Sequence, residues 1–153
     1  VWLMLLVMSE SVAMRMRELA MKCTVVEVSV RDCDLNGFVR QRKIETPTSS
    51  SLEIAQIAFA LFKSNYRWGN PLRGVGVRGA SLVPADTPVQ LGFFSNAEKR
   101  EKLERLDKAV DVVRERYGYT SIQRARIYTD RGLGAINPKD GHTVHPVDFF
   151  NAG

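Results

Sequence analysis

Cysteine is nearly absent from this chain of 153 residues: Cys23 and Cys33 are the only two. They bracket one strand-like segment, which holds them roughly 30 Å apart when extended, too far for a bridge. Two lone cysteines also make a poor zinc site, so a reducing, intracellular (cytoplasmic) compartment is expected. Long apolar runs are missing too. The opening Val1–Met8 is apolar but too short to span a bilayer, and it lacks the basic leader of a signal peptide. Neither GxxxxGK[ST] nor GxSxG occurs, and no acidic cluster resembles a two-metal site. Asp32 and Asp34 fall in a turn, where Asp belongs anyway. The residues therefore assign no catalytic group, no metal and no cofactor. The chain opens on that apolar run without an initiator Met and reads as a fragment of something longer.

The chain does hold a basic balance, +5 at pH 7, and 44% apolar residues. The first favours an acidic partner such as nucleic acid; the second suits a globular domain. Residues 3–20 read as a helix, with Leu5, Met8, Val12, Met16 and Leu19 at three- and four-residue spacing. Residues 23–31 alternate Val26, Val28 and Val30 with Glu27, Ser29 and Arg31, the pattern of a half-buried strand. A turn at Asp32, Asp34, Asn36 and Gly37 leads into a polar strand over 38–45, paired with the first as a hairpin. Ser50 with Glu53 fits a capping box ahead of a helical stripe of Ile54, Ile57, Ala58, Leu61 and Phe62. Residues 72–82 read as a third strand, with Val75 and Val77 on one face.

Helix–strand–strand–helix–strand with helices on one face of a mostly antiparallel sheet is an α+β domain over 1–82. It is a βαββαβ order without its first strand. A Pro-containing linker follows over 83–96. A second capping box, Ser95 with Glu98, starts a helix over 97–117, with Leu103, Leu106, Val110, Val113 and Tyr117 as a narrow stripe. Residues 121–128 read as a short strand and 129–153 as loop. The sheet edge left open by the missing strand is expected to be filled by 121–128 or by a second copy in a homodimer. The helix 97–117 is expected to cover the apolar Val1–Met8 turns through Leu103, Leu106 and Val110.

Three motifs carry chemistry. The basic strand pair sets Arg40 and Arg42 beside Arg73, Gly74, Gly76 and Arg78, with Gly74, Gly76 and Arg78 sharing the face opposite Val75 and Val77. Strand glycines mark close approach of another backbone, and arginines beside main-chain N–H groups suit phosphates. The bland alternative is a solvated face with a Gly bulge. Gln90-Leu91-Gly92-Phe93-Phe94 can anchor a peptide in a partner's pocket, or fold onto its own core. His142 and His145 have metal-like spacing, with Asp140 and Asp148 in the same Pro-interrupted loop, but no obvious ligand set; loop anchoring is the better reading.

The stretches SESVAMRMREL (9–19), TVVEVSVRD (24–32), LRGVGVRGASLVPADTPVQLGFF (72–94) and EKREKLERLDKAVDVVRERYGYTSIQRA (98–125) together resemble the little-finger domain of Y-family translesion DNA polymerases, the DNA polymerase IV-like group. The resemblance covers roughly residues 3–128. It implies a four-stranded sheet under two helices that grips DNA through backbone phosphates, in a bacterial, nucleoid-associated polymerase acting in DNA repair. The catalytic carboxylates and Mg would belong to a palm that is absent here, so the nucleotidyltransferase activity would be the parent's. Arg40, Arg42, Arg73, Gly74, Gly76 and Arg78 would face phosphate; Gln90, Leu91, Phe93 and Phe94 would dock on the sliding clamp. Two departures stand out: the family's first strand is missing, and the Q-L-x-x-F loop lies well before the end of the chain. The runner-up is a protein-interaction adaptor that binds a clamp-like partner without DNA. An RRM-type RNA binder is weaker, since the strands offer only Phe38 for base stacking.

Overall fold

The computed structural model describes residues 1–67, 69–88 and 97–136. Its elements run α1 (Trp2–Glu18), β1 (Met21–Asp32), β2 (Gly37–Thr48), α2 (Ser51–Asn65), β3 (Leu72–Pro84) and α3 (Ala97–Tyr117). Two 3₁₀ turns, Tyr119–Ser121 and Ala125–Thr129, and a helical turn α4 (Arg131–Gly134) follow. The sheet is three-stranded, order β2-β1-β3, and antiparallel throughout. With helices packed on one face it is the α+β fold the patterning predicts.

β1 is the central strand, and its alternation organises the core. Val26, Val28 and Val30 are buried against Leu5, Ala13 and Met16 of α1 and Ile54, Ala58 and Phe62 of α2. Gly79 of β3 lies on that same face. A Cβ there would stand 3.0 Å from Met16 Sδ and 3.2 Å from Cys23 Cβ, so the missing side chain lets α1 settle on the sheet. α1 stops where Ala20 takes a left-handed φ of 51°. The hairpin turn is closed by Asp32, whose Oδ1 accepts from the N–H groups of Asp34 (3.0 Å) and Asn36 (2.9 Å). Asn70 Nδ2 donates to the carboxylates of Asp32 and Asp34, tying the turn to the loop before β3.

The expected capping box of α2 does not form. Ser50 is the N-cap residue but its hydroxyl caps nothing, and Glu53 instead accepts from Thr48 Oγ1 at 2.5 Å. The cap comes from α3: Asp107 accepts from Ser51 N–H at 2.9 Å and from Ser51 Oγ at 2.8 Å. A carboxylate at a helix N-terminus meets unpaired N–H groups and the positive end of the dipole.

α3 docks through a set of ion pairs, with Leu103, Val110 and Val113 of its apolar stripe half-buried and Leu106 and Tyr117 exposed. Arg17 donates to Asp111 (2.6 Å) and to Ser49 O (2.6 Å), and lies 3.6 Å from Asp107. Arg114 pairs with Glu10 at 2.9 Å, with both side chains 5% exposed. Arg124 reaches Glu10 (2.9 Å) and Asp107 (3.2 Å), while Lys22–Glu104 and Arg100–Glu53 close the ends. Burial pushes the Tyr119 phenol up to about 12, against the pull of Arg114, whose guanidinium sits 4.1 Å from its ring.

Three expectations are corrected here. Residues 121–128 are not a strand: the segment coils into 3₁₀ turns because Arg124 is drawn into the ionic network and Ile127 is buried on Leu6, Val7 and Ala55. The described sheet edge is therefore not filled from this segment. Ile127, with Leu52 and Ala55 of α2, packs on Leu6 and Val7 in the first turns of α1, where Leu103, Leu106 and Val110 were expected to give the cover; Leu106 stays 48% exposed. Finally, 129–153 is not loop throughout, since Arg131–Gly134 forms α4. Ser95, His142, His145, Asp140 and Asp148 lie outside the described residues.

Two outcomes follow. Asp107→Ala removes the α2 cap and one partner each of Arg17 and Arg124, so urea unfolding should show a loss of about 2–4 kcal/mol; a loss below about 0.5 kcal/mol would mean that α3 does not depend on this carboxylate. Cys23 is buried and burial pushes its thiol up to about 11, whereas Cys33 is exposed. At pH 8 iodoacetamide should label Cys33 in the folded chain and reach Cys23 only on unfolding, because the thiolate is the nucleophile. Equal labelling of both, read by peptide mass, would contradict the packing.

Candidate nucleic-acid interface

With Val26, Val28 and Val30 turned to the helices, Glu27, Ser29 and Arg31 of β1 are committed to the other face. Directly paired residues in an antiparallel sheet share a face, so the register extends this assignment to both neighbours. On β3, Glu27 pairs with Arg78, Ser29 with Gly76 and Arg31 with Gly74. On β2, Val25 pairs with Lys43, Glu27 with Gln41 and Ser29 with Val39. No described helix lies in the core on this side. The open face thus carries Arg31, Lys43 and Arg78 as cations and Glu27 as its carboxylate.

Gly74, Gly76 and Arg78 share one face, as expected, and β1 adds Ser29 and Arg31, which reading β3 alone misses. A shallow concavity of about 690 Å³ spans all three strands at this end of the sheet; Ser29, Arg31, Val39, Arg73 and Gly74 line it together with Val30, Phe38 and Val75. Arg73 and Gly74 flank the point where the β1–β3 register shifts, between Arg31 and Asp32, which brings Arg73 to the same concavity as Arg31. A Cβ on Gly74 would meet nothing within 4 Å, so the backbone there is open to an approaching group. A Cβ on Gly76 would lie 2.5 Å from Ser29 Oγ, so that glycine also makes room for a neighbouring hydroxyl. Arg78 is 72% exposed and only 3.9 Å from Glu27 Oε1; such a surface pair is weak and leaves the guanidinium available.

Arg40 and Arg42 are not part of this surface. They pair with Val28 and Val26, which places them on the helix side of edge strand β2. Arg40 donates to Asn65 Oδ1 at the end of α2 (3.1 Å) and to Val39 O (2.9 Å), and stacks 5.6 Å from the Phe38 ring. The consecutive run Arg40-Gln41-Arg42-Lys43 is therefore split, with Gln41 and Lys43 on the open face. Gln90, Leu91, Phe93 and Phe94 lie outside the described residues. Among the described residues no group of three or more His, Cys, Asp or Glu is placed to hold a metal ion, and no helix is long and apolar enough to cross a membrane.

Residues 1–93 match the impB/mucB/samB family C-terminal domain. Among curated proteins, the chain is 42% identical over 134 residues to DNA polymerase IV of Acetivibrio thermocellus, covering 88% of this chain and 34% of that protein. It is 32% identical over 123 residues to DNA polymerase IV of Clostridium acetobutylicum, covering 79% and 30%. With DNA polymerase IV of Pelotomaculum thermopropionicum it shares 32% identity over 120 residues, covering 78% and 28%. The chain spans about a third of the length of the curated relatives it matches. An α+β core of this topology, matched over residues 1–93, makes the chain a member of the impB/mucB/samB C-terminal domain family.

Proposed function

We propose that the open face of the sheet is the DNA-gripping surface of a translesion polymerase, binding backbone phosphates without regard to sequence. The observation that carries this reading is the sheet register, which sets Arg31 and Arg78 on the face of an unobstructed Gly74 that no described helix covers, with Arg73 lining the concavity beside them. Cations beside accessible main-chain N–H groups suit phosphate oxygens. The side chains that could read base edges in sequence-specific fashion are few, so affinity comes from charge. Arg40 and Arg42, on the helix side of β2, act at a distance and not as contacts. Polymerization itself belongs to the remainder of a longer enzyme in the cytoplasm of a bacterium, and this chain supplies grip.

Two further partners belong to the same reading. The Gln90–Phe94 segment joins β3 to α3, both anchored to the core, and its Leu91, Phe93 and Phe94 suit a pocket on a sliding clamp. The outer edge of β3 has β1 on one side only among the described residues, and such an edge can pair with a second copy.

If about three to five phosphates are neutralised, log affinity against log salt should have a slope near −3 to −5. Gly74→Val should weaken duplex binding several-fold while the unfolding midpoint holds or rises, since a β-branched residue suits a strand and its Cβ meets nothing. A flat salt response, or unchanged binding in Gly74→Val, would sink the reading. Replacing Phe93 and Phe94 by Ala should abolish clamp binding in a pull-down with purified clamp and leave the DNA salt slope alone; retained clamp binding would remove the loop from the account.

A further inference from the structure

Glu27 is out of character on the open face. Glu is depleted in strands, and the core makes no demand for it, since Val26 and Val28 on either side already turn to the helices. It occupies the middle of the central strand, opposite Arg78 on β3 and Gln41 on β2. Its side chain is 21% exposed and that of Arg78 72%. The carboxylate thus lies low against the sheet, while the guanidinium stands in solvent. Arg78 Nη1 comes to 3.9 Å from Glu27 Oε1, beyond hydrogen-bond reach. The pair is held by charge alone, and the N–H donors of the guanidinium fork are not committed to Glu27.

A guanidinium placed like this has two anions to choose between. A phosphate arriving over Gly74 and Gly76 meets Arg78 from the solvent side, as Glu27 meets it from the sheet side. Two anions converging on one cation repel each other, the more so as an arriving duplex displaces water and lowers the local dielectric. Drawing Arg78 onto the phosphate leaves Glu27 facing the DNA backbone without its cation. We propose, on the reading of this face as the DNA grip, that Glu27 moderates that grip: it competes with phosphate for Arg78, weakening binding and hastening release. A polymerase's grip moves along the duplex, which requires phosphate contacts that break as readily as they form. A carboxylate waiting beneath the arginine supplies the partner to which Arg78 returns when the phosphate leaves.

Fluorescence anisotropy of the whole chain with a labelled duplex of mixed sequence tests this. Glu27→Gln keeps the side chain's size and removes its charge. It should raise affinity about two- to fivefold, the worth of a surface ion pair expressed as a binding ratio, with slower dissociation in stopped flow and the unfolding midpoint in place. Arg78→Ala should weaken binding, and Glu27→Gln combined with Arg78→Ala should gain nothing over Arg78→Ala alone. Glu115→Gln, which removes the same charge from the exposed side of α3, should leave affinity as it was. A Glu27→Gln affinity equal to wild type, a gain that persists undiminished without Arg78, or an equal gain from Glu115→Gln would overturn the inference. A wild-type salt response that stays steep in those cases leaves the DNA grip standing; a flat one removes the grip, and this role of Glu27 with it.

Discussion

The alternation of β1 is the constraint from which the rest of the structure follows. Val26, Val28 and Val30 are buried at 5% exposure or less, and a strand cannot bury both faces under two helices on one side. A one-residue slip would turn all three valines to solvent and bring Glu27, Ser29 and Arg31 into the core. Because β1 is flanked by both other strands, its parity sets theirs. Val75 and Val77 go to the helices; Gly74, Gly76 and Arg78 go to the open side. The hydrophobic core and the basic face are thus two results of one register, and neither can shift without the other.

A second layer is held by a different force. No residue of α3 belongs to the described core clusters, and its Glu104, Asp107, Asp111, Arg100 and Arg114 meet partners on α1, α2 and β1. The cost of desolvating a buried ion pair offsets much of its Coulombic gain, so these pairs choose a geometry more than they add stability. Asp107 shows why that geometry is specific: it caps α2 through Ser51 and meets Arg17 and Arg124 at once. A helix rotated by one residue would lose the cap and leave two arginines short of a partner.

The parts of the fold set by local pattern are legible in the sequence. α2 follows from its apolar stripe, β1 from its strict alternation, the hairpin from Asp32 and Asn36. Parts set by distant partners are not. Arg17 and Glu10 look like residues of a solvated helix face, and only the arrival of α3 buries them. Ile122, Ala125 and Ile127 alternate partly, yet Arg124 and Ile127 are pulled toward α1 and the strand never forms. Arg40 and Arg42 sit in a basic run beside Gln41 and Lys43, and composition cannot say which of the four faces which side. That depends on the pairing of β2 with β1, whose register also slips between Cys23 and Val25.

The most direct test of the central claim is an amide NMR titration of the chain with a short duplex of mixed sequence at low salt. The account predicts resonance changes concentrated at Ser29, Arg31, Gly74, Gly76 and Arg78, with α2 and the amides of Arg40 and Arg42 little affected. Changes centred on Arg40, Arg42 and the end of α2, with Gly74 and Gly76 unmoved, would place DNA on the opposite side of the sheet and contradict it.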